Sequence, residues 1–454
     1  MLLLLFFILL ILLIFEYQHN NKELISPIIL YLVPFIVMIL IALFNAKQWS
    51  FEINFTTFVI VIFGSLAFSL GTSTGNRIKL RRNGKNSDIS CIKNGNTWKY
   101  VLFLIAQIII FYLKIRYILA FARNRGVTGG ISSALRYLND LTKFTTEDTV
   151  HYPFFVSLGL DICTMFGFSC ACLFAQQFFI EKRKKVDFIL ILLNFIIAFI
   201  GGSTSGGRGG SVQVIVSFIC SLFIFYQRKN DYKKTVSLKI ICLTVLILIG
   251  VLSLFIISIQ WIGRYPPSMI LRYITNYIGV QIYNFNSISE TESGVSEIFG
   301  QETFYPMIQK ICSLLGISKW ANYHVGYPNV YSTGYNTGNV YTCYYSYIKD
   351  FGLIGAIILP FIFGCYSQII YRSAKRSDRN NPITTSLVYY SNLSYMIIFS
   401  FFADKFGSIV FSPNMIKRTI ILYIINVFLF DTDMNTEKTA IIVRYQQRKT
   451  SVER

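Results

Sequence analysis

Charged residues are scarce in this sequence. Only 14% of its 454 residues are Asp, Glu, Lys or Arg, and 54% are hydrophobic, whereas an ordinary soluble domain has about 25% charged residues. This composition excludes an ordinary soluble protein and indicates an integral membrane protein. The hydrophobic residues form continuous runs near the ~20 residues that a helix needs to cross a ~30 Å hydrocarbon core. Continuous rather than alternating runs predict helices and not a membrane β-barrel.

Signatures of several common catalytic sites are missing from the sequence. Nothing has the spacing of a metal site, of a nucleotide-binding loop between strand and helix, or of a nucleophile with its base. The nine cysteines form no disulfide framework, although Cys312 and Cys343 share one polar segment and could pair in an oxidising space. We therefore predict a protein that uses no metal and no other cofactor.

The apolar runs predict an all-α polytopic membrane protein, a single integral membrane domain over residues 1–454. About eleven transmembrane helices are expected, at approximately 1–16, 28–44, 55–71, 101–122, 154–179, 188–202, 211–227, 240–263, 351–371, 383–404 and 419–431. The first run lacks a basic segment and a small-residue cleavage site, so we predict a retained helix rather than a signal peptide.

Basic residues collect in alternate connections between these helices. The clusters lie at 77–85, 182–185, 228–234, 372–379 and 438–454. Because cytoplasmic loops collect Lys and Arg, these clusters predict the cytoplasmic side, which includes the tail 432–454. The net charge of +20 thus belongs to these loops and does not indicate a nucleic-acid partner.

The opposite, extracytoplasmic side holds the longest connection. It covers residues 264–350 and is rich in Tyr, Asn, Gly and Thr, whereas disordered segments are rich in charge and proline. Shorter connections at 123–153, 203–210 and 405–418 lie on the same side. Long ordered loops in compact chains are usually functional, so we expect the active region on this side.

A short turn in the middle of the chain is the densest chemical signal. Residues 201–210 read Gly-Gly-Ser-Thr-Ser-Gly-Gly-Arg-Gly-Gly. Glycines let backbone N–H groups approach an anion, and the following helix N-terminus adds positive potential. With the guanidinium of Arg208, the turn predicts a diphosphate site that includes Gly206, Gly207 and Gly209. A flexible hairpin with an incidental arginine is the alternative.

Two further arginines follow the eighth predicted helix. Arg264 stands where that helix ends against Pro266 and Pro267, and Arg272 follows about two turns later. A planar guanidinium can bind phosphate oxygens through two parallel hydrogen bonds. Both residues are candidate phosphate ligands, although arginines at helix ends also commonly extend towards the membrane interface.

The end of the long connection is rich in aromatic and amide side chains. Asn339, Tyr341, Thr342 and Tyr345 stand just before the next predicted helix. Ring faces combined with hydroxyl and amide groups suit a sugar-binding surface. An aromatic belt at the membrane interface has the same composition.

Two residues of the same connection are candidate proton acceptors. Asp350 stands directly before a predicted helix, and His324 is the only histidine between residues 264 and 350. A carboxylate or an imidazole can accept the proton of a sugar hydroxyl. The alternatives are a helix N-terminal cap for Asp350 and an incidental role for His324.

Three ionisable residues lie inside predicted transmembrane helices. Lys114 and Arg116 are in the fourth helix and Asp161 is in the fifth. Ionisable groups at such depth normally pair with each other or line a cavity. We predict a structural ion pair among them, and a polar path for a lipid diphosphate is the alternative.

In combination, these features resemble a known family, the Wzy-type O-antigen and capsular oligosaccharide repeat-unit polymerases. The resemblance rests on residues 205–209 before a middle helix, a large outward connection, and residues 339–342 and 349–352 before the next helix, which contains Gly355 and Gly364. The helix count and the order of these segments are also similar to that family.

The resemblance implies a metal-independent, inverting glycosyltransferase with a GT-C-like membrane fold. Such an enzyme transfers the growing glycan from undecaprenyl diphosphate to a hydroxyl of the next lipid-linked repeat unit. Arg208 and Arg264 match best the arginines that would bind the lipid diphosphates; Arg123, Arg125 and Arg136 are less specific matches.

The family also implies a setting and partners. The expected location is the cytoplasmic (inner) membrane of a bacterium, with the long connection outside. The expected partners are undecaprenyl-diphosphate-linked oligosaccharides and the lipid bilayer, with a chain-length regulator and a flippase as further candidates. Two alternatives stay open: an O-antigen ligase-type glycan transferase, with His324 as its base, and a transporter or flippase of lipid-linked oligosaccharides.

Overall fold

The structure is a computed structural model. It describes residues 1–79, 97–144, 150–180, 183–204, 209–230, 270–291, 296–323, 325–332, 335–376 and 383–430, and the single positions 232, 236, 240, 242, 244, 246, 250, 253 and 294. The described part is built almost entirely of helices. The predicted all-α membrane fold is therefore confirmed.

Nine helices in the described residues are long and apolar enough to cross a membrane. They are α1 (Leu2–His19), α2 (Pro27–Trp49), α3 (Phe55–Arg77), α4 (Thr97–Asn124), α6 (Phe154–Gln177), α7 (Lys185–Ser203), α8 (Gly209–Lys229), α12 (Tyr344–Ala374) and α14 (Pro413–Phe430). Each overlaps one of the predicted apolar runs over most of its length. The predicted helix at 240–263 lies mostly outside the described residues.

The remaining elements are shorter or less apolar. They are α5 (Ile131–Phe144), α9 (Ile270–Ile288), α10 (Tyr305–Leu314), α11 (Ser318–Ala321), α13 (Thr385–Ile398) and the antiparallel strands β1 (Val330–Ser332) and β2 (Tyr335–Gly338). The predicted helix at 383–404 corresponds to α13, which ends at Ile398 and leads into the short helical turns Phe399–Phe401 and Phe406–Val410.

The connections predicted as loops contain more structure than expected. The amphipathic helix α5 lies within 123–153, and α9, α10, α11 and the two strands lie within 264–350. Cys312 and Cys343 are both buried free thiols, so the disulfide considered from the sequence is not formed.

Helices α3 and α12 form a very close pair because glycines remove side chains from their contact. A Cβ atom on Gly71 would lie 2.1 Å from the carbonyl oxygen of Phe361, and one on Gly364 would lie 2.3 Å from that of Phe68. Small residues commonly let membrane helices approach in this way, because lipid supplies no hydrophobic force between helices.

Helix α12 has a break near its start. Gly352 has φ 62° and ψ −158°, a backbone conformation almost restricted to glycine. The prediction placed the start of this helix at residue 351, whereas it begins at Tyr344. The first turns contain the buried Tyr344, Tyr345 and Tyr347, whose polar groups can enter the bundle because protein rather than lipid surrounds them.

A second group of helices consists of α4, α6, α7, α8 and α14. Stacked rings of Phe103 and Phe166, with centroids 3.9 Å apart, join α4 to α6. The side-chain amide of Gln107 donates to Asn194 Oδ1 at 3.0 Å and joins α4 to α7. Buried amide contacts of this kind satisfy polar groups that lipid cannot satisfy. They hold together helices that also surround a cavity.

Candidate functional site: a cationic cavity

A cavity of about 460 Å³ lies among α4, α5, α6, α7, α8 and α14. Its polar lining includes Lys114, Thr164, Gln213 and Arg418. The two charged side chains among its described lining residues, Lys114 and Arg418, are both cations, and none is a carboxylate. The cavity therefore suits an anionic group.

The cavity lies at one particular end of these helices. Its lining comes from the C-terminal halves of α4 and α7 and the N-terminal halves of α6, α8 and α14. The basic residues at 183–185 and 228–229 lie at the other ends of α7 and α8. The cavity is thus remote from the basic clusters that predict the cytoplasmic side.

The glycine-rich turn predicted to bind diphosphate borders this cavity. Gly201, Gly202, Gly209 and Gly210 are lining residues. A Cβ atom on Gly202 would lie 2.4 Å from the backbone nitrogen of Ser211, so α7 and α8 meet here without side chains between them. The predicted ligands Gly206, Gly207 and Arg208 lie outside the described residues. In the sequence they stand between Gly202 and Gly209.

Lys114 reaches the same turn from α4. It is buried, with 6% of its surface exposed, and its Nζ donates to Thr204 Oγ1 at 2.9 Å. Thr204 in turn donates to the carbonyl oxygen of Gly201 at 2.7 Å. A cation deep in the helical bundle is therefore directed at the glycine-rich turn.

The ion pair predicted among Lys114, Arg116 and Asp161 is wrong. Asp161 accepts a hydrogen bond from Arg418 Nε at 2.8 Å and also forms an ion pair with Lys417, both at the start of α14. Arg116 is exposed and donates to Tyr112 Oη at 3.2 Å on its own helix. Hydropathy along the chain does not specify which helices are neighbours, and α6 packs beside α14.

Within the described part of the chain, only one nitrogen of Arg418 is held by a hydrogen bond. Nε is the donor in its one hydrogen bond with the described part of the chain, and an arginine carries five N–H donors in a fixed fork. The terminal N–H groups remain available to a ligand, and Arg418 lines the large cavity and a smaller one of about 190 Å³. Asp161 therefore orients a guanidinium at the junction of two cavities.

The aromatic segment that leads into α12 and includes its first turn is buried rather than open to a ligand. Tyr341 and Tyr345 are each 1% exposed, and their rings stack on each other with centroids 4.6 Å apart. Their hydroxyls donate to the carbonyl oxygens of Pro328 at 2.7 Å and Gly326 at 3.2 Å. The expectation that these rings present a sugar-binding surface is thus corrected, since they hold the connection 326–345 together.

Two other predicted sugar ligands lie in the same segment. Thr342 is buried, and its hydroxyl has no hydrogen-bond partner in the described residues; Asn339 is half-buried. Neither lines the cavities described above. Their role in binding substrate stays a prediction.

Asp350 anchors the backbone of another segment. Its carboxylate accepts N–H groups of Glu302, at 3.0 and 3.1 Å, and of Thr303, at 2.7 Å. The adjacent Lys349 forms an ion pair with Glu302 at 3.1 Å. The alternative of a cap on its own helix is corrected, because Asp350 caps the segment before α10 instead.

A buried carboxylate, Asp404, lies in the segment between α13 and α14. Asp404 Oδ1 accepts hydrogen bonds from Tyr347 Oη at 3.1 Å and from the backbone nitrogens of Phe406 and Gly407 at 3.0 and 3.1 Å. Burial raises the pKa of Asp404 to about 7, although the hydrogen bond from Gly407 opposes the shift. Asp404 therefore changes charge near neutral pH.

Three predicted site residues remain, and only Arg272 is among the described residues. Arg272 is half-buried on α9 and does not line the cavity, and Arg264 and His324 lie outside the described residues. Among the described residues, no group of three or more His, Cys, Asp or Glu side chains could hold a metal ion.

No family model matches this chain, and neither a curated protein nor a solved structure matches it. The interpretation of the site therefore depends on its own geometry.

Three residues of this region were not among those predicted from the sequence: Lys417, Arg418 and Gln213. A signal for the first two was present, because both lie where the predicted outward connection 405–418 meets the last apolar run. Asp161, a carboxylate inside a predicted transmembrane helix, also required a cationic partner. Gln213 gave no such signal, because its part in the site depends on which helices surround it.

Proposed function

We propose that this protein polymerises lipid-linked oligosaccharide repeat units, transferring a growing glycan from undecaprenyl diphosphate to the next unit. The observation that carries the proposal is the cavity between the glycine-rich turn and Arg418. It brings Lys114 and Arg418 to one space, and the residues on both sides of the Arg208 turn border that space. The resemblance of residues 205–209 and 349–352 to the Wzy-type family supports it from the sequence.

The chemistry of such a transfer suits a cavity of this charge. A hydroxyl oxygen of the acceptor unit attacks the anomeric carbon of the donor sugar, and the bond from that carbon to the diphosphate breaks. Negative charge then grows on the departing diphosphate, and positioned cations stabilise it. The guanidinium of Arg418, oriented by Asp161 at 2.8 Å, and the ammonium of Lys114 would supply that stabilisation.

The acceptor hydroxyl must also lose its proton. Asp350 and His324 are the candidates from the sequence, and the Asp350 carboxylate already accepts two backbone N–H groups. The proposal therefore rests on the cations and does not depend on either proton acceptor.

The location belongs to the proposal as well. The chain is a multi-pass membrane protein, and we propose a bacterial cytoplasmic membrane with the cavity facing outwards. The positive-inside distribution of Lys and Arg supports this orientation, because the cavity lies at the helix ends remote from the basic clusters.

The test is the size distribution of surface glycan in a strain that lacks this gene. We expect single repeat units in that strain, and long chains when it carries the wild-type gene. Arg418→Gln should leave mostly single units, since glutamine keeps a polar side chain but removes the charge. Arg116→Gln is the matched control, because Arg116 is exposed and contacts Tyr112 rather than the cavity, and it should restore long chains.

Other outcomes point to other functions. Long chains that remain on the lipid carrier in the deletion strain would indicate a ligase instead. Repeat units that never reach the outer side would indicate a transporter. Immunoblots of the membrane fraction check that each variant is present at the wild-type level, so that a lost ladder reflects lost activity.

A further inference from the structure

The smaller cavity has a different chemistry from the cationic one. It measures about 190 Å³ and lies where α6, α8, α13, the helical turn Phe406–Val410 and the start of α14 meet. Its polar lining consists of the amides of Gln213, Asn392 and Asn414, the hydroxyls of Ser408 and Ser412, and the guanidinium of Arg418. Amides and hydroxyls both donate and accept hydrogen bonds, and so do the hydroxyl groups of a sugar.

One side chain that lines this cavity carries a buried polar atom without a hydrogen-bond partner in the described residues. Asn392 is 4% exposed, and its Oδ1 has no hydrogen-bond partner in the described residues. A buried acceptor without a donor is unfavourable, and a hydroxyl group of a ligand would remove that penalty. The serines differ, because Ser412 already donates to the carbonyl oxygen of Ile409 at 2.7 Å.

The two cavities adjoin each other. Phe168, Gln213 and Arg418 line both of them. One ligand with an anionic part and a neighbouring hydroxylated part would thus place the anion beside Lys114 and Arg418 and the hydroxyls beside Asn392. The smaller cavity has less than half the volume of the larger one, which suits one sugar ring better than an oligosaccharide.

We infer that the smaller cavity is a sugar-binding subsite in which Asn392 accepts a hydrogen bond from a hydroxyl of the sugar attached to the diphosphate. This inference rests on the proposed function, since it takes the diphosphate as the anion in the larger cavity. It assigns Asn392 to the recognition of the sugar and leaves the binding of phosphate to the cations.

The test compares two ligands on the full-length protein in nanodiscs. One is farnesyl diphosphate, which carries the charge and no sugar; the other is the lipid-linked repeat unit extracted from the deletion strain. Asn392→Leu should weaken binding of the repeat unit about tenfold, the loss expected for one hydrogen bond, and leave the affinity for farnesyl diphosphate unchanged. Gln176→Leu removes a buried amide outside both cavities and should change neither affinity.

The two ligands separate the possible failures. If Asn392→Leu binds both as tightly as the wild type does, the sugar subsite is wrong while the proposed function stands. If the wild type binds neither ligand, the proposed function fails and this inference fails with it. If Asn392→Leu also weakens the binding of farnesyl diphosphate, Asn392→Ala, which adds no bulk, is tested in its place. It should weaken binding of the repeat unit and leave the affinity for farnesyl diphosphate unchanged.

Discussion

The pairing of Asp161 with Arg418 can be tested by a double-mutant cycle. The two residues are 257 positions apart in the sequence, and their side chains meet at 2.8 Å between Oδ1 and Nε. Asp161→Asn and Arg418→Gln each remove one charge and keep a similar volume. If the contact exists, the double variant should lose less stability than the sum of the single variants.

The size of this coupling follows from distance and exposure. Two unit charges 4 Å apart attract by about 4 kcal/mol at an effective dielectric constant of about 20. The Asp161 side chain is 8% exposed, but that of Arg418 is 36% exposed, so solvent screens part of the attraction. We therefore expect a coupling free energy of roughly 1–2 kcal/mol, well above the ~0.5 kcal/mol deviation found between independent sites.

The measurement is the free energy of unfolding from denaturant titrations in detergent micelles. A second cycle combines Asp161→Asn with Arg116→Gln and serves as the control. Arg116 contacts Tyr112, so this cycle should be additive. Additivity in the Arg418 cycle together with coupling in the Arg116 cycle would refute the packing of α6 against α14 and restore the pairing predicted from the sequence.

Three further substitutions test other parts of the fold by the same unfolding measurement. Gly352→Ala should cost about 1–3 kcal/mol, because φ is 62° there. Gly71→Ala should cost about 1–3 kcal/mol by forcing α3 from α12; Gly130→Ala, with no atom within 4 Å of its Cβ position, is the control for both. Asp404 keeps its proton when folded, so wild-type stability should fall as pH rises from 3.8 to about 7, and Asp404→Asn should flatten this dependence. Unchanged stability in either glycine variant, or an unchanged pH slope, would contradict these assignments.

The existence of the transmembrane helices could be predicted from sequence because the constraint is local. Lipid cannot satisfy backbone polar groups, so each apolar run of sufficient length must form a helix by itself. All nine long apolar helices of the described part overlap a predicted run. Their ends were harder to predict, as α12 illustrates, because the buried tyrosines at its start are enclosed by protein rather than lipid.

The neighbours of each helix could not be predicted in the same way. Asp161 required a cationic partner, and the nearest candidates in the predicted helices were Lys114 and Arg116. The partners are instead Lys417 and Arg418, which reach Asp161 because α14 packs beside α6. Apolar periodicity carries little information about such packing when helices are apolar on most faces.

The aromatic segment shows why composition alone misled. Tyr, Asn and Thr suit a sugar site, but they equally suit a buried connection whose backbone carbonyls need donors. Tyr341 and Tyr345 donate to the carbonyls of Pro328 and Gly326, so they satisfy a loop that would otherwise leave acceptors without partners. The chemistry that suits a sugar lies instead in the cavity at Asn392, a residue that the sequence places in an ordinary apolar helix.

The arrangement around Arg418 favours a ligand over a purely structural role. A structural ion pair in a membrane protein is most stable when charges balance, yet one carboxylate, Asp161, faces both Lys417 and Arg418. Arg418 also directs its terminal nitrogens to no acceptor in the described part of the chain, and its side chain is exposed enough for a ligand to reach them. Excess positive charge and free donors at the junction of two cavities together fit a site that is completed by an anion. Asp161 then holds the guanidinium of Arg418 in place. The cavity stays positively charged, because Lys114 also lines it, beside the glycine-rich turn.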